Sequence, residues 1–303
     1  MRQLADPITG QSSLEPASLE PRRRERGFVA VAVLWMLAMI ATLLLIYVKY
    51  VVSTGNLVAT VTERVQTDAF MRAAVELTAY QLGQFKDSER ATRGTVDMRL
   101  GAARLHVAYR SEGARIDLNM ASKELLGGLM QSLGAAVPEA QTYADRIMAW
   151  RTPTKANADE PENAYYLALG APYAPRHAPF PAIDELWLVQ GIPPELIERM
   201  LPFVTVFSNL STVNVADAPP EVLAALPGMT PEKMQTIMNV RDDPATDSKA
   251  LNQQFGGDAK PPKAYRLSAG IRLEHGQQAQ SEIVILLLHD SDDPYRVLSW
   301  RDQ

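Results

Sequence analysis

The chain has 303 residues, which is enough for two modest domains or for one domain that carries a large insertion. Its formal net charge is −5, and the absence of cysteine excludes disulfide frameworks, thiol catalysis and zinc sites built from cysteine. The negative charge argues against a general attraction for nucleic acid or anionic lipid, so any such contact would depend on a local basic patch.

The first feature along the chain is a basic leader followed by a long apolar run. Four arginines at positions 22–26 precede Gly27, and the 21 residues from Phe28 to Val48 contain no charged side chain. A helix of that length spans roughly 31 Å, which matches the hydrocarbon thickness of a bilayer. The arginines predict a cytoplasmic amino terminus, with the rest of the chain on the other side of the membrane.

The apolar run is too long for a secretory signal peptide, whose apolar part spans about 7–15 residues before a cleavage site with small side chains. Lys49, Tyr50 and Val51 follow the run where small residues would be expected. A single-pass anchor without any processing is one interpretation of this composition.

Beyond the membrane the same helix is predicted to continue. Apolar side chains recur at every fourth position and are separated by polar ones; the series is Leu57, Val61, Val65, Ala69, Ala73 and Leu77. Gly83 and the polar letters GQFKDSER indicate the end of the helix. The sequence therefore predicts one helix from Phe28 to about Phe85, with its second half packed on a sheet.

Strand-like alternation occurs in two separated blocks. The first spans residues 95–118, with glycines at 101 and 113 marking turns, and the second lies between Tyr265 and Trp300, with turns at 275–276 and 292–294. Residues 119–262 between the blocks are helical in pattern. Two independent sheets would each hold about three short strands, which is marginal for stability. The sequence therefore predicts one antiparallel sheet that is interrupted by a helical insertion.

The insertion contains an internal repeat at an offset of 97 residues. IDLNMASKELLGGLM, from Ile116, aligns with VNVADAPPEVLAALPGM, from Val213. Each copy predicts an extended segment that leads into a helix with a glutamate near its start, where a carboxylate can cap free amides. The second copy continues as LPGMTPEKM, and ELWLVQGIPPELIERM is similar to it. Both are predicted to form helix-hairpin-helix units.

Helix-hairpin-helix units commonly bind DNA, so a membrane-anchored DNA receptor is the alternative function. A DNA-binding hairpin uses exposed backbone amides after two glycines to hold a phosphate. Here Thr230 and Pro193 stand in place of the second glycine, and Pro194 and Pro231 remove further amide donors. The sequence therefore predicts structural hairpins and no nucleic-acid partner.

The junction RRRERGF resembles the class III signal of type IV pilins and pseudopilins, in which a basic leader ends in Gly before an aromatic first mature residue. The resemblance implies cleavage by prepilin peptidase between Gly27 and Phe28, and methylation of the new amino terminus at Phe28. Most pilins carry Glu at mature position five, which here is Ala32. Because a buried carboxylate is costly without a partner, Ala32 fits a subunit at a filament tip with nothing stacked above it.

Several motifs in one order make the chain similar to the minor pseudopilin K family of type II secretion systems (general secretion pathway protein K). They are RIDLN, ADRIMAWR, FPAIDELWLVQGI, VNVADAPPEVLAALPGMT and the last strands. The resemblance implies an α+β pseudopilin fold, in which a long amino-terminal helix packs on an antiparallel sheet that carries a large α-helical insertion domain. The expected divisions are a leader at 1–27, a transmembrane part at 28–48, pseudopilin segments at 49–118 and 263–303, and the insertion at 119–262.

The resemblance also implies a non-enzymatic protein at the tip of the pseudopilus, which supports protein export across the outer membrane. The expected partners are the minor pseudopilins I and J, prepilin peptidase and the inner membrane, and the secreted substrate or the secretin are further candidates. The body of the chain is expected in the periplasm of a bacterial cell. The sequence contains no Walker A motif and no Gly-x-Ser-x-Gly motif, which agrees with a protein that is not an enzyme.

A calcium site is the remaining expectation. Members of the family resemble calcium binders with acidic residues after a Trp-Arg pair, but here TPTK follows Trp150 and Arg151. Asp159, Glu160 and Glu162 lie close together further on, and calcium takes about six to eight oxygen ligands, so these carboxylates are the candidate ligands. A solvated acidic loop is the alternative interpretation of the same residues.

Overall fold

The computed structural model describes residues 25–86, 90–101, 103–154, 161–241, 243, 246–260, 263–273, 278–288 and 293–302, without the side chains of residues 25–27 and 52–63. The chain divides into two compact units, residues 1–64 and 65–303, and each is described by itself.

The helices are α1 (Glu25–Gly83), α2 (Lys123–Ser132), α3 (Val137–Arg151), α4 (Pro161–Ala168), α5 (Pro194–Met200), α6 (Pro220–Ala224), α7 (Pro231–Val240) and α8 (Ser248–Gln254). The strands are β1 (Arg93–Leu100), β2 (Ala103–Ser111), β3 (Ile116–Asp117), β4 (Val204–Thr205), β5 (Ala264–Arg272), β6 (Gln278–Leu287) and β7 (Tyr295–Asp302). Short 3-10 helices lie at Glu112–Ala114, Ile183–Leu188 and Leu201–Phe203.

Five strands form one antiparallel sheet in the order β1-β2-β5-β6-β7. The chain leaves the sheet at the end of β2 and returns at the start of β5, where Ser111 and Tyr265 are cross-strand partners. The described residues between these two points are mainly helical. This topology confirms the predicted fold class, a long helix and an antiparallel sheet interrupted by a helical insertion.

The carboxyl-terminal part of α1 packs on one face of this sheet, but not through the predicted side chains. Leu57 and Val61 of the predicted series lie outside the described side chains, and Val65 and Leu77 are 64% and 39% exposed. The residues that are buried against the strands are Met71, Ala74, Val75, Ala79 and Leu82. A spacing of four residues drifts by about 40° per step around a helix of 3.6 residues per turn. A stripe that stays on one face therefore mixes spacings of three and four, as these residues do.

A buried arginine donates hydrogen bonds to carbonyl groups at the end of α1. The helix ends at Gly83, as the sequence predicted, and the chain continues to β1. Arg90, which is 4% exposed, donates from Nε to the Leu82 carbonyl at 2.7 Å and from Nη2 to the Phe85 carbonyl at 3.1 Å. These bonds satisfy carbonyl groups that a helix leaves free at its carboxyl end.

The insertion has its own hydrophobic core, which includes Leu126, Leu129, Ile147, Leu186 and Met200. Trp150 anchors an aromatic group in this core, with ring centroids 6.1 Å from Tyr166 and 6.2 Å from Phe180. This core is separate from the core that the sheet forms with α1.

One element of the insertion was not predicted. Residues 116–117 were assigned to the main sheet, but Ile116 and Asp117 pair in parallel with Val204 and Thr205 to form a separate two-stranded sheet. Ile116 and Leu118 belong to the core of the insertion. A two-residue strand carries too little alternation to be recognised from the sequence, because its partner lies far along the chain.

Candidate functional site

The apolar part of α1 is the first candidate surface. Phe28–Val51, 24 residues, is long and apolar enough to cross a membrane. Phe28 and Trp35 are 78% and 72% exposed, and Ala32 is also exposed. Ala32 lies four residues after Phe28, so both are on the same side of α1, about 6 Å apart along its axis. The predicted cleavage position, after Gly27, lies near the start of this helix.

The internal repeat folds into two copies of the same turn. In the first copy, the Ala121 amide donates to the Asp117 carbonyl at 2.9 Å and the Asn119 amide donates to Asp117 Oδ1 at 2.8 Å. In the second, at an offset of 97 residues, the amides at 218 and 216 make the same two bonds to the main chain and side chain of Asn214, at 2.9 and 3.0 Å. Asp and Asn side chains form such turns readily, which explains why these residue types occupy the matching positions.

Each copy ends with an arginine whose side chain donates hydrogen bonds to the turn at the start of the same copy. Arg151, the last residue of α3, donates from Nη1 to the Leu118 carbonyl and from Nη2 to the Ala121 carbonyl. Arg241, which follows α7, donates from Nη1 to the Ala218 carbonyl at 2.9 Å. The repeat is therefore a structural unit of turn, helix, helix and closing arginine. The closing arginines were not predicted, because their partners are carbonyl groups that carry no sequence signal.

The hairpins of the insertion share one geometry. Gly134, Gly191 and Gly228 have positive φ angles of 96°, 87° and 74°, and each lies two residues before the residue that caps the next helix. Glycine adopts this conformation at little cost, which explains its place in these turns. The hairpins at Gly191 and Gly228 were predicted, whereas the hairpin at Gly134 was not.

Side chains of the insertion itself contact these turns. The Tyr165 hydroxyl packs so closely on Gly191 that a Cβ atom there would lie 2.7 Å from it. Arg199 Nη1 donates to the carbonyl of Leu133, next to the glycine at 134, at 2.5 Å. Lys233 Nζ donates to the Gly228 carbonyl at 2.9 Å. This geometry supports a structural role for the hairpins, since side chains of the insertion itself contact each of the three turns.

Two carboxylates are buried around the repeat. Burial raises the pKa of the Asp117 carboxyl, although the amides of Asn119 and Asn209 and the Ser208 hydroxyl donate to it and oppose the increase. Burial also raises the pKa of the Asp217 carboxyl, which accepts a hydrogen bond from the Thr92 hydroxyl at 2.7 Å. Thr92 directly precedes β1, so this bond joins the insertion to the segment that enters the sheet.

Two further contacts join the insertion to the sheet. Arg266, on β5, binds Glu112 through Nε at 2.6 Å, and both side chains are buried. Arg301, on β7, forms an ion pair with Asp184. The buried pair fixes orientation, because leaving either partner buried alone costs several kcal/mol, whereas the exposed Arg301 pair contributes little.

Only one of the predicted calcium ligands lies within the described residues. Asp159 and Glu160 are outside them, and Glu162 begins α4, where its Oε2 accepts from Arg146 Nη1 at 2.7 Å. Arg146 also lies 3.5 Å from the centre of the Tyr165 ring. Within the described part of the chain, no three His, Asp or Glu side chains are placed to hold a metal ion. Glu162 therefore has a cationic partner in the protein, and calcium at this loop stays a prediction.

Comparisons with known proteins give one partial family match and one similar fold. Residues 105–209 match the family model for type II secretion system (T2SS), protein K. No curated protein matches the chain at a significant level. The fold is similar to a chain in the crystal structure of the GspK–GspI–GspJ complex from the enterotoxigenic Escherichia coli type 2 secretion system. The TM-score is 0.58 at 17% identity, over 80% of this chain and 97% of that one, so the likeness concerns the fold.

Proposed function

We propose that this chain is a minor pseudopilin K of the type II secretion system, that it sits at the tip of the pseudopilus and that it supports protein export across the outer membrane. The observation that carries the proposal is a helical insertion that the protein K model matches in part and that interrupts an antiparallel sheet, together with a membrane-length helix near the amino terminus. The role is one of assembly and not of catalysis.

The start of α1 supports processing before assembly. The leader is proposed to be removed by prepilin peptidase between Gly27 and Phe28, and the new amino terminus to be methylated. Before processing, Phe28–Val51 would hold the chain in the inner membrane with its body in the periplasm. Apart from proline, glycine has the lowest helix propensity of the residue types. Gly27 therefore suits a position at which the backbone must become extended to enter a peptidase.

The position of Ala32 supports a place at the tip. A carboxylate here would lie about one turn from the amino terminus of the processed helix, in an apolar setting. In a subunit with another stacked above it, such a carboxylate can neutralise the neighbour's amino terminus. With nothing above, it would remain a buried charge without a partner, which is costly, so an alanine is the favourable residue at a tip.

The proposed partners are the minor pseudopilins I and J. The similar crystal structure holds a protein K with I and J of its own system, and the same fold makes a corresponding complex the natural proposal for this chain. The exposed apolar side chains between Phe28 and Val51 offer a surface for helix-to-helix packing with them. The insertion is then free to contact secreted protein or the secretin.

The proposal is tested on the full chain expressed with its own prepilin peptidase and with minor pseudopilins I and J. Mass spectrometry of the membrane-derived protein is expected to find Phe28 as a methylated first residue, and I and J are expected to co-purify. Gly27→Ala is expected to reduce processing and secretion strongly. Gly83→Ala is the matched control, because a Cβ atom there meets nothing within 4 Å and its φ is not positive.

Two results would count against the proposal. A functional chain that still begins at Met1 would indicate a plain membrane anchor. Salt-sensitive binding of the chain to duplex DNA, together with no co-purification of I and J, would instead favour the alternative of a membrane-anchored DNA receptor.

A further inference from the structure

The sheet face opposite α1 carries an unusual concentration of positive charge. Leu105, Val107 and Leu267 pack in the core with α1, so the side chains at alternate positions lie on the other face. The strand register aligns six of those side chains in two rows, which are Arg93–Arg110–Arg266 and Arg99–Arg104–Arg272. These six residues are named the arginine face.

Sheet stability does not explain these rows. Like charges directly opposite each other on neighbouring strands destabilise a sheet. The chain as a whole is also negative, at −5, so its average composition does not lead to such a cluster. On each of the three strands the rows are six residues apart, which corresponds to about 20 Å at the rise of a β-strand.

The carboxylates on this face are already paired. Glu112 and Glu282 both bind Arg266, at 2.6 and 2.5 Å, and Asp97 Oδ1 lies 2.7 Å from His106 Nδ1. Other arginines lie on the face or beside it, and their side chains make no hydrogen bond or ion pair within the described residues; they are Arg104, Arg110, Arg115 and Arg272. Positive charge therefore remains available at both rows.

Each of the two rows borders a cavity. A cavity of about 640 Å³ lies at the first row, with Arg110, Arg115 and Arg266 in its wall, and one of about 380 Å³ lies at the second. Between the two rows, Ala108 and Ser268 pair at one level and His106 and Gly270 at the next, so most of the side chains on β2 and β5 there are small and uncharged. Burial, followed by the charge of Arg266, lowers the pKa of Arg115, which agrees with a crowded cationic pocket.

We propose that the arginine face binds an extended acidic segment of a partner protein, whose carboxylates meet the two rows about 20 Å apart. Guanidinium groups bind carboxylates through two parallel hydrogen bonds, and small side chains between the rows let a backbone lie close to the sheet. Because Glu112 and Glu282 already neutralise Arg266, the free charge is spread along the face. Spaced carboxylates fit that distribution better than one compact polyanion does.

The test uses the full chain in neutral detergent and a fluorescent peptide with two Glu pairs placed six residues apart by a Ser/Gly spacer. Fluorescence anisotropy measures its binding, and the same peptide with Gln in place of Glu measures the contribution of charge. The variant Arg104→Gln/Arg110→Gln removes one exposed arginine from each row. Lys249→Gln/Lys260→Gln removes the same net charge from the insertion and is the matched control, since both lysines are exposed.

The chain is expected to bind the Glu peptide, and the arginine variant to weaken binding by about tenfold or more. The lysine control and circular dichroism are expected to be unchanged, and the Gln peptide should not bind. Equal binding by the arginine variant, or equal binding of the Gln peptide, would overturn the proposal. Stronger binding of inorganic phosphate, phosphatidylglycerol vesicles or duplex DNA at the same arginines would also overturn it, in favour of a phosphate ligand.

Discussion

At the scale of single residues, Asp217 lies at the contact between the insertion and the start of the sheet. Its Oδ1 accepts a hydrogen bond from Thr92, and its Oδ2 is buried with no hydrogen-bond partner among the described residues. Burial raises the pKa of this carboxyl, and the Thr92 bond and the charges of Arg93 and Arg110 offset part of the increase. The ionised form therefore costs stability at neutral pH.

This cost has a defined pH dependence. The pKa of Asp217 in the folded chain lies above its ordinary value of 3.8. Between the ordinary and the raised pKa, the folded chain binds more protons than the unfolded chain. The free energy of unfolding therefore falls as the pH rises through that window. Asp217→Asn keeps the acceptor for Thr92 and removes the titration. We expect the variant to gain midpoint temperature relative to the parent chain as the pH is raised from about 4 to about 7.

Tryptophan fluorescence of the detergent-solubilised chain measures the two midpoints at each pH. Asp184→Asn is the control, because its carboxylate is mostly exposed and pairs with Arg301 at the surface. A difference between Asp217→Asn and the parent that stays constant with pH, or falls as the pH rises, would contradict the expectation.

At the scale of elements, the close contact of α2 with α6 requires a residue without a side chain at one position of α2. Gly127 and Gly128 are neighbours in α2. A Cβ atom on Gly128 would lie 3.0 Å from the carbonyl carbon of Ala225 and still closer to its oxygen. A Cβ atom on Gly127 would meet nothing closer than 3.8 Å. The two glycines therefore have different reasons to be present, and only Gly128 is required by packing.

Opposite effects are expected from the same substitution at these two sites. Gly128→Ala must push the end of α6 away from α2, which we expect to lower the free energy of unfolding by about 1–3 kcal/mol. Gly127→Ala is the matched control, because it gains helix propensity without a clash and should raise stability by up to about 1 kcal/mol. Thermal unfolding followed by tryptophan fluorescence distinguishes them. If both variants lost stability equally, the close contact would not be the cause.

At the scale of the whole molecule, the insertion connects two neighbouring strands of the five-stranded sheet and contributes no strand to it. Ser111 ends β2 and Tyr265 lies at the start of β5, and the two face each other across the ladder. An antiparallel pair at that distance can be joined by a two-residue turn. The sheet and α1 also have a core separate from that of the insertion.

Replacing residues 112–264 with Asn-Gly is therefore expected to leave the five-stranded sheet folded and to abolish secretion, if the insertion makes the contacts of the tip. Stability should fall, because buried Arg266 loses Glu112 and keeps only Glu282. Adding Arg266→Met should recover part of that loss. Circular dichroism and limited proteolysis measure the outcome, and loss of strand signal in both forms would contradict it.

Much of this architecture could be predicted from local patterns. The apolar length after Gly27, the end of α1 at Gly83 and the division into sheet and insertion all follow from composition and periodicity over short windows. The repeat was also visible, because Ile116 and Val213 begin segments with matching residue types. The predicted stripe of α1 was wrong, since a fixed spacing of four residues does not follow the helical period.

The amino-acid pattern alone predicts a membrane-length helix and an antiparallel sheet with a helical insertion. Those features follow from the physical character of neighbouring residues, which is local. Only the tertiary structure decided that Arg151 and Arg241 close their own turns, that Ile116 pairs with Val204, and that six arginines form two rows. These contacts join residues far apart in the chain, and strand register and helix packing bring them together only in the folded protein.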